Sequence, residues 1–111
     1  FFYSDIHMAA IVAGGKLMIK PIQAKLHVDD RVLGKMDPFI AFNYEGAHFR
    51  TKTDHNGGRN PHFHEAFEII AKDLNHQIKF CIMDDKALVN QELGHGVIHL
   101  HALCQNLGVV Q

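Results

Sequence analysis

The side chains best suited to chemistry in this chain are loop carboxylates and paired imidazoles. Asp37 and Pro38 precede the run Phe39, Ile40, Ala41, Phe42. A run of that kind enters a core, and proline fixes φ as the chain does so. Asp37 therefore stands where water meets the interior. A carboxylate there suits a hard cation such as calcium, which takes about six to eight oxygens and is served by loops that gather acids without burying them. Ten histidines are present. His62 with His64, and His99 with His101, have the spacing that puts two rings on one face of a strand. Zinc would accept either pair but would lack two ligands, and neither cysteine has the spacing to supply them. These histidines, with His55 and His95, are read as polar residues on solvated surfaces.

Cys81, within an apolar run, and Cys104, near the end, are read as small core residues of a protein kept in a reducing compartment. A thiolate between Phe80 and Ile82 is disfavoured. No nucleophile elbow, phosphate loop or zinc-hydrolase motif occurs, so the chain is read as a binding module and not an enzyme. Arg50 and Lys52 share parity on one expected strand and, with Lys35 and Arg59, form a modest basic surface. Protonation of neighbouring histidines below about pH 6.5 would strengthen it.

The elements that must position these groups fit one small domain. The chain has 111 residues, 47% hydrophobic and 21% charged, with a formal net charge of −1. That near balance offers no electrostatic case for nucleic-acid binding. No apolar run approaches the ~20 residues that cross a bilayer as a helix. Residues 1–8, "FFYSDIHM", show no periodicity leading into the next segment and are expected to derive from expression cloning. The domain proper is expected over 9–111.

Within it, Leu17, Ile19 and Pro21 alternate with Met18, Lys20 and Ile22, which is the period of a strand. Pro21 lacks an amide hydrogen and belongs at an edge or beside a bulge. Residues 38–44 form the next strand, Glu45-Gly46 a tight turn and 47–53 its hairpin partner. After the Asn, Gly and Pro of 54–61 come strands over 62–70, 77–83 and within 92–103. About six short strands with long loops argue for an all-β antiparallel sandwich.

Taken in order, "GKLMIKPIQA", "LGKMDPFI", "RTKT", "GGRNPHFHEAFEI", "IKFCIMDD" and "LGHGVIHL" resemble a C2 domain across about residues 15–103. The most specific pieces are Gly34 to Phe39 and Asn60 to Phe67, with Phe63 in the family's tryptophan or phenylalanine position. The resemblance implies a Greek-key β-sandwich, here of seven to eight strands. "GKLMIKPIQA" reads directly into the loop before "MDP" and so resembles the first strand of the permuted (type II) order, whose closing strand comes last. Asn106 to Gln111 supply at most a stub of that strand. The native chain is therefore expected to continue beyond Gln111, and the sandwich to show seven strands or to fill the gap as an edge-strand dimer.

The resemblance also implies three loops at one end that bind calcium through aspartates and then meet phospholipid. A gap-free count places Arg31 where the family has its first loop-one aspartate, just after Asp29 and Asp30, and a guanidinium cannot ligate calcium. In loop three Asp84 and Asp85 are adjacent, and Gln91 stands three before Gly94 where an aspartate is usual. Two arrangements are open. Asp30, Asp37, Asp84 and Asp85 converge on one calcium, with Asn90 or Gln91 completing the shell; or Arg31 lies inside the cluster and pairs with Asp37 or Asp85.

The expected metal residues are thus Asp30, Asp37, Asp84, Asp85 and Gln91, holding calcium weakly. Val32 and Leu33 in loop one, and Leu88 and Val89 in loop three, are the apolar tips expected to enter lipid, with Arg50 and Lys52 on headgroups. The implied function is a cytoplasmic, peripheral module that docks on anionic phospholipid membranes through loops 26–36, 54–61 and 84–92. The alternative is a calcium-independent protein-interaction domain.

Overall fold

The computed structural model describes residues 4–13, 16–26 and 34–102. The expectations for Asp29, Asp30, Arg31, Val32, Leu33, Cys104 and Asn106 to Gln111 lie outside these described residues. Seven strands are present among them: β1 (Ser4–Ala13), β2 (Lys16–Leu26), β3 (Pro38–Tyr44), β4 (Ala47–Arg50), β5 (Phe67–Ile70), β6 (Gln77–Asp84) and β7 (Gln91–His99). They form two sheets, β1-β2-β5 and β4-β3-β6-β7, with every pairing antiparallel. One core lies between them. Leu17, Ile19 and Ile69 reach it from the first sheet, and Ile40, Phe42, Ile78, Ile82 and Leu93 from the second. The chain is the antiparallel β-sandwich that its periodicity predicts.

The strand periods explain who faces inward. In β3, Ile40, Phe42 and Tyr44 are buried while Ala41 and Asn43 are half-buried on the other side. Phe42 stacks on Phe49 of β4 with ring centroids 5.1 Å apart and meets Phe67 and Phe80 at 5.6 and 6.4 Å. In β2 the inward set switches from Leu17 and Ile19 to Ala24 and Leu26. The cause is a bulge: Met8 pairs with Pro21 and His7 with Gln23, so Ile22 is skipped. One extra residue inverts the alternation, and Pro21 stands beside that bulge.

The turn between β3 and β4 is tight. Glu45 and Gly46 have φ of 48° and 86°, the positive pair of a type I′ hairpin, whose twist matches the strands it joins. β4 ends at Arg50, short of the 47–53 expected, because Thr51 changes the ladder. The Ile40 amide donates to the Thr51 hydroxyl at 3.0 Å, while the Thr51 amide donates to the Ile40 carbonyl at 2.9 Å. The strand expected over 62–70 forms only at β5. Ahead of it, Phe63 is buried and the carbonyls of Arg59 and Pro61 accept from the Leu26 and Ala24 amides, extending the β2 ladder without a regular strand. β7 ends at His99, and a helical turn over 100–102 buries Leu100.

Two expectations bear on the first strand pairing. Residues 4–8 belong to the fold, since Ser4 to Ala13 pairs along the whole of β2 from Leu26 to Lys16. Among the described strands "GKLMIKPIQA" is therefore the second, and the permuted order is not confirmed. The place beside β2 that the permuted order leaves for a closing strand is taken by a strand that precedes it. The sequence signal for this pairing is Gly14-Gly15, two residues between two strand-compatible runs, which is a hairpin signature.

Candidate functional site

Three chain segments meet at one end of the sandwich, at the entry to β3. Met36, wholly buried, anchors the approach, and its carbonyl accepts from the Gly58 amide at 3.0 Å. Asp37, half-buried, is tied from three directions. Its amide donates to Asp84 Oδ1 at 2.9 Å, its carbonyl accepts from the Asp85 amide at 2.9 Å, and its Oδ1 accepts from the Asn56 amide at 2.7 Å. Asp84, last residue of β6, is fully buried. Burial of a carboxylate is tolerated where donors surround it, and here one donor is the amide that starts the facing strand.

The middle segment, 51–62, is shaped by its own acid. The Asp54 amide donates to the Pro38 carbonyl at 2.8 Å, its carbonyl accepts from the Gly57 amide at 3.0 Å and its Oδ2 from the His62 amide at 2.9 Å. Gly57 lies so close that a Cβ there would stand 2.5 Å from Asp54 Oδ2. Thr53 links this segment to the third. Its hydroxyl donates to Asp85 Oδ2 at 2.7 Å and accepts from Arg50 Nη2 at 2.9 Å. Arg50 also donates through Nε to the Thr51 carbonyl, and its guanidinium lies 3.5 Å from the centroid of the Phe39 ring. It is therefore partly committed to the protein. Lys52 is exposed, and its amide donates to Glu65.

The third segment is closed on itself by the Lys86 amide donating to Asn90 Oδ1 at 3.2 Å. Its tip is apolar and bare: Leu88 is 99% exposed and Val89 71%. Gln91, exposed, sits opposite Asp84 in the β6–β7 ladder.

The structure thus brings Asp37, Asp84 and Asp85 together, but as hydrogen-bond acceptors for the loops. Among the described residues no three acidic, imidazole or thiol side chains are grouped to hold a metal ion. The described donor set does not fit a calcium cage, which needs about six to eight converging oxygens. The histidine pairs do not share strands: His62 forms an isolated bridge with Gln23 and His64 follows in irregular chain, while His99 ends β7 and His101 lies in the helical turn. All four are exposed.

Cys81 departs from the core role expected of it. It is half-buried on the outer face of the second sheet, opposite His95. Partial burial, with the Glu92 carboxylate adding to it, pushes its thiol above the ordinary range. Sequence reasoning missed two neighbours on that face, His48 and Lys79, which flank Asn43 from β4 and β6. Their shared face is a matter of register, which single-strand parity does not supply.

The fold is an antiparallel β-sandwich with a cluster of loops at one end. The C2 domain family matches residues 15–111, and the chain belongs to that family. Solved structures agree in fold. The first C2 domain (domain A) of a plant extended synaptotagmin 1 superposes with a TM-score of 0.72 at 21% identity, covering 78% of this chain and 70% of that one. The corresponding A domain of RIM from Drosophila gives 0.69 at 16%, covering 86% and 83%. Calcium-bound extended synaptotagmin 2, with its A and B C2 domains, gives 0.70 at 19%, covering 86% and 38%. No curated protein sequence matches the chain. C2 domains are generally non-catalytic modules that bind phospholipid membranes and proteins, and binding of calcium is typical of the family. Among the described residues no helix is long and apolar enough to cross a membrane.

Proposed function

We propose that this C2 domain docks reversibly on anionic phospholipid membranes, loop end first, as a cytoplasmic, peripheral module. The observation that carries the reading is the bare Leu88-Val89 tip beyond β6. An exposed apolar pair on a loop has no packing role to explain it, and it suits shallow insertion at a headgroup boundary. Val32 and Leu33 of loop one are the further apolar residues expected to enter lipid, with Lys52, and Arg50 partly engaged, on headgroups. Calcium, seen with extended synaptotagmin 2, would at most be held weakly by the expected set Asp30, Asp37, Asp84, Asp85 and Gln91, since the described carboxylates form no cage by themselves. Its affinity is no better than roughly 10⁻⁴ M, because Arg31 replaces a ligand and the described carboxylates already accept from the chain. Arg31→Asp should tighten calcium binding in calorimetric titration. Sedimentation with anionic liposomes, in calcium and in chelator, tests docking itself, and absence of pelleting in both conditions would refute it.

A second reading, calcium-independent protein interaction, is favoured by β1. It is ten residues long and stands at the edge of its sheet among the described strands. An edge of that length is a template for strand pairing, with a second copy as one partner. Dimer formation in sedimentation equilibrium, lost on Ala10→Pro, is the outcome that reading expects.

A further inference from the structure

The outer face of the four-stranded sheet gathers histidines beside fixed cations. The register sets the rows. His48, Asn43, Lys79 and Val97 lie side by side across the four strands, and Arg50, Ala41, Cys81 and His95 form the next row. Period two places His99, opposite Gln77, on the same side of β7 as His95 and Val97. His48, His95, His99, Arg50 and Lys79 are all exposed. The face dips into a depression of about 280 Å³ whose lining includes Ala41, Asn43, His48, Lys79 and Cys81. Of the three imidazoles on this face, His48 lines the concavity.

The ionisable groups turned to this face are few. β4 gives His48 and Arg50, β6 gives Lys79 and Cys81, and β7 gives Glu92, His95 and His99, while the outward residues of β3 are Phe39, Ala41 and Asn43. Glu92 Oε2 lies 3.2 Å from His95 Nδ1, so a protonated His95 offsets the acid on the face. Imidazole changes charge between about pH 5 and 8, a range in which ordinary carboxylates stay largely ionised. Three imidazoles thus stand on one face with Arg50 and Lys79. In the whole chain ten histidines stand against a formal net charge of only −1.

We propose that this histidine-bearing sheet face makes docking on anionic membranes proton-dependent, strengthening it as pH falls through the imidazole range and without need of calcium. The inference rests on the membrane-docking reading above. A membrane of negative charge favours the protonated imidazoles, so the bound state holds more protons than the free one and affinity rises as pH falls. Each positive charge near such a surface multiplies partitioning about fivefold.

The test is sedimentation with phosphatidylglycerol vesicles in chelator at pH 7.5 and 5.5, because the lipid phosphodiester is anionic at both. The expected result is a partition coefficient at least about tenfold higher at pH 5.5, with no such rise on phosphatidylcholine. H48Q/H95Q/H99Q should lose most of the rise, whereas H62Q/H64Q/H101Q, which removes as many histidines from elsewhere, should keep it. H48K/H95K/H99K should bind strongly at both pH values. Equal binding of the unsubstituted domain at the two pH values overturns the proton dependence and leaves docking intact. Equal loss in both glutamine triples overturns the assignment to this face. No binding at either pH, with or without calcium, overturns docking and this inference together.

Discussion

The two ends of β3 are finished by different means. At its start, Asp37 is joined to Asp84, Asp85 and Asn56, residues 19 to 48 positions away, by polar groups that reach between loops. At its finish, Tyr44 enters a two-residue turn whose geometry is local, and Asn43 Oδ1 accepts from the Gly46 amide. Tyr44 itself is buried against the core, with its hydroxyl 3.1 Å from His76 Nδ1. The loop end is therefore held by pairings made across the sequence, and the turn end by backbone conformation and burial. A binding surface built in the first way can be tight at its base and bare at its tip, which is how Leu88 and Val89 come to be exposed a few residues beyond a fully buried Asp84.

The largest effect should come from the base of the loop end. Asp84→Ala removes the acceptor for the Asp37 amide and leaves a void in a fully buried position. We expect a loss of about 2–3 kcal/mol in denaturant unfolding. A loss under about 1 kcal/mol would show that the carboxylate does not join β3 to β6, and the contrast between the two ends would fail.

At the turn end the matching change is Gly46→Ala. Its φ of 86° is left-handed, and a Cβ there meets nothing within 4 Å, so conformational strain alone is at stake. The expected loss is about 1–2 kcal/mol, read in the same unfolding experiment. Tyr44→Phe should do less, about 0.5–1.5 kcal/mol, because it removes one hydrogen bond to His76 and keeps the buried ring. Should Tyr44→Phe exceed Asp84→Ala, the polar pairing would be the stronger device at the turn end.

The sequence is legible where a single strand suffices and opaque where two must be aligned. Strands β3 and β6, the Glu45-Gly46 hairpin and the role of Pro21 follow from alternation and turn chemistry within one segment. The composition of the loop end is legible in the same way, since Asp37 before Pro38 marks a strand entry by itself. What the carboxylates do there is not. Asp84 and Asp85 differ by one position, yet one is buried and the other half-buried, because β6 ends between them. The basic face is similarly half legible. Arg50 and Lys52 share parity, but the neighbours His48, Lys79 and His95 are assembled by the β3–β4, β3–β6 and β6–β7 registers. The start of β1 carries no periodicity of its own, and its pairing with β2 shows that an edge strand needs little pattern when its partner supplies the ladder.

The smallest effect on stability should come from the tip, and it is the change that separates holding from binding. Leu88, 99% exposed, and Val89, 71% exposed, make little contact with the rest of the folded domain. Replacing both by serine therefore removes almost no buried apolar area. Surface changes of this kind stay within about 0.5 kcal/mol. On a membrane the same side chains would leave water, and full burial of each is worth about 1.5–3 kcal/mol. Leu88→Ser with Val89→Ser should consequently leave the unfolding midpoint in place while lowering liposome partitioning by at least about tenfold. A shifted midpoint would mean that the tip packs against loop one after all. An unshifted midpoint with unchanged partitioning would move the docking surface away from the loop end and onto the outer face of the sheet, where His48, Arg50 and Lys79 would have to carry it alone.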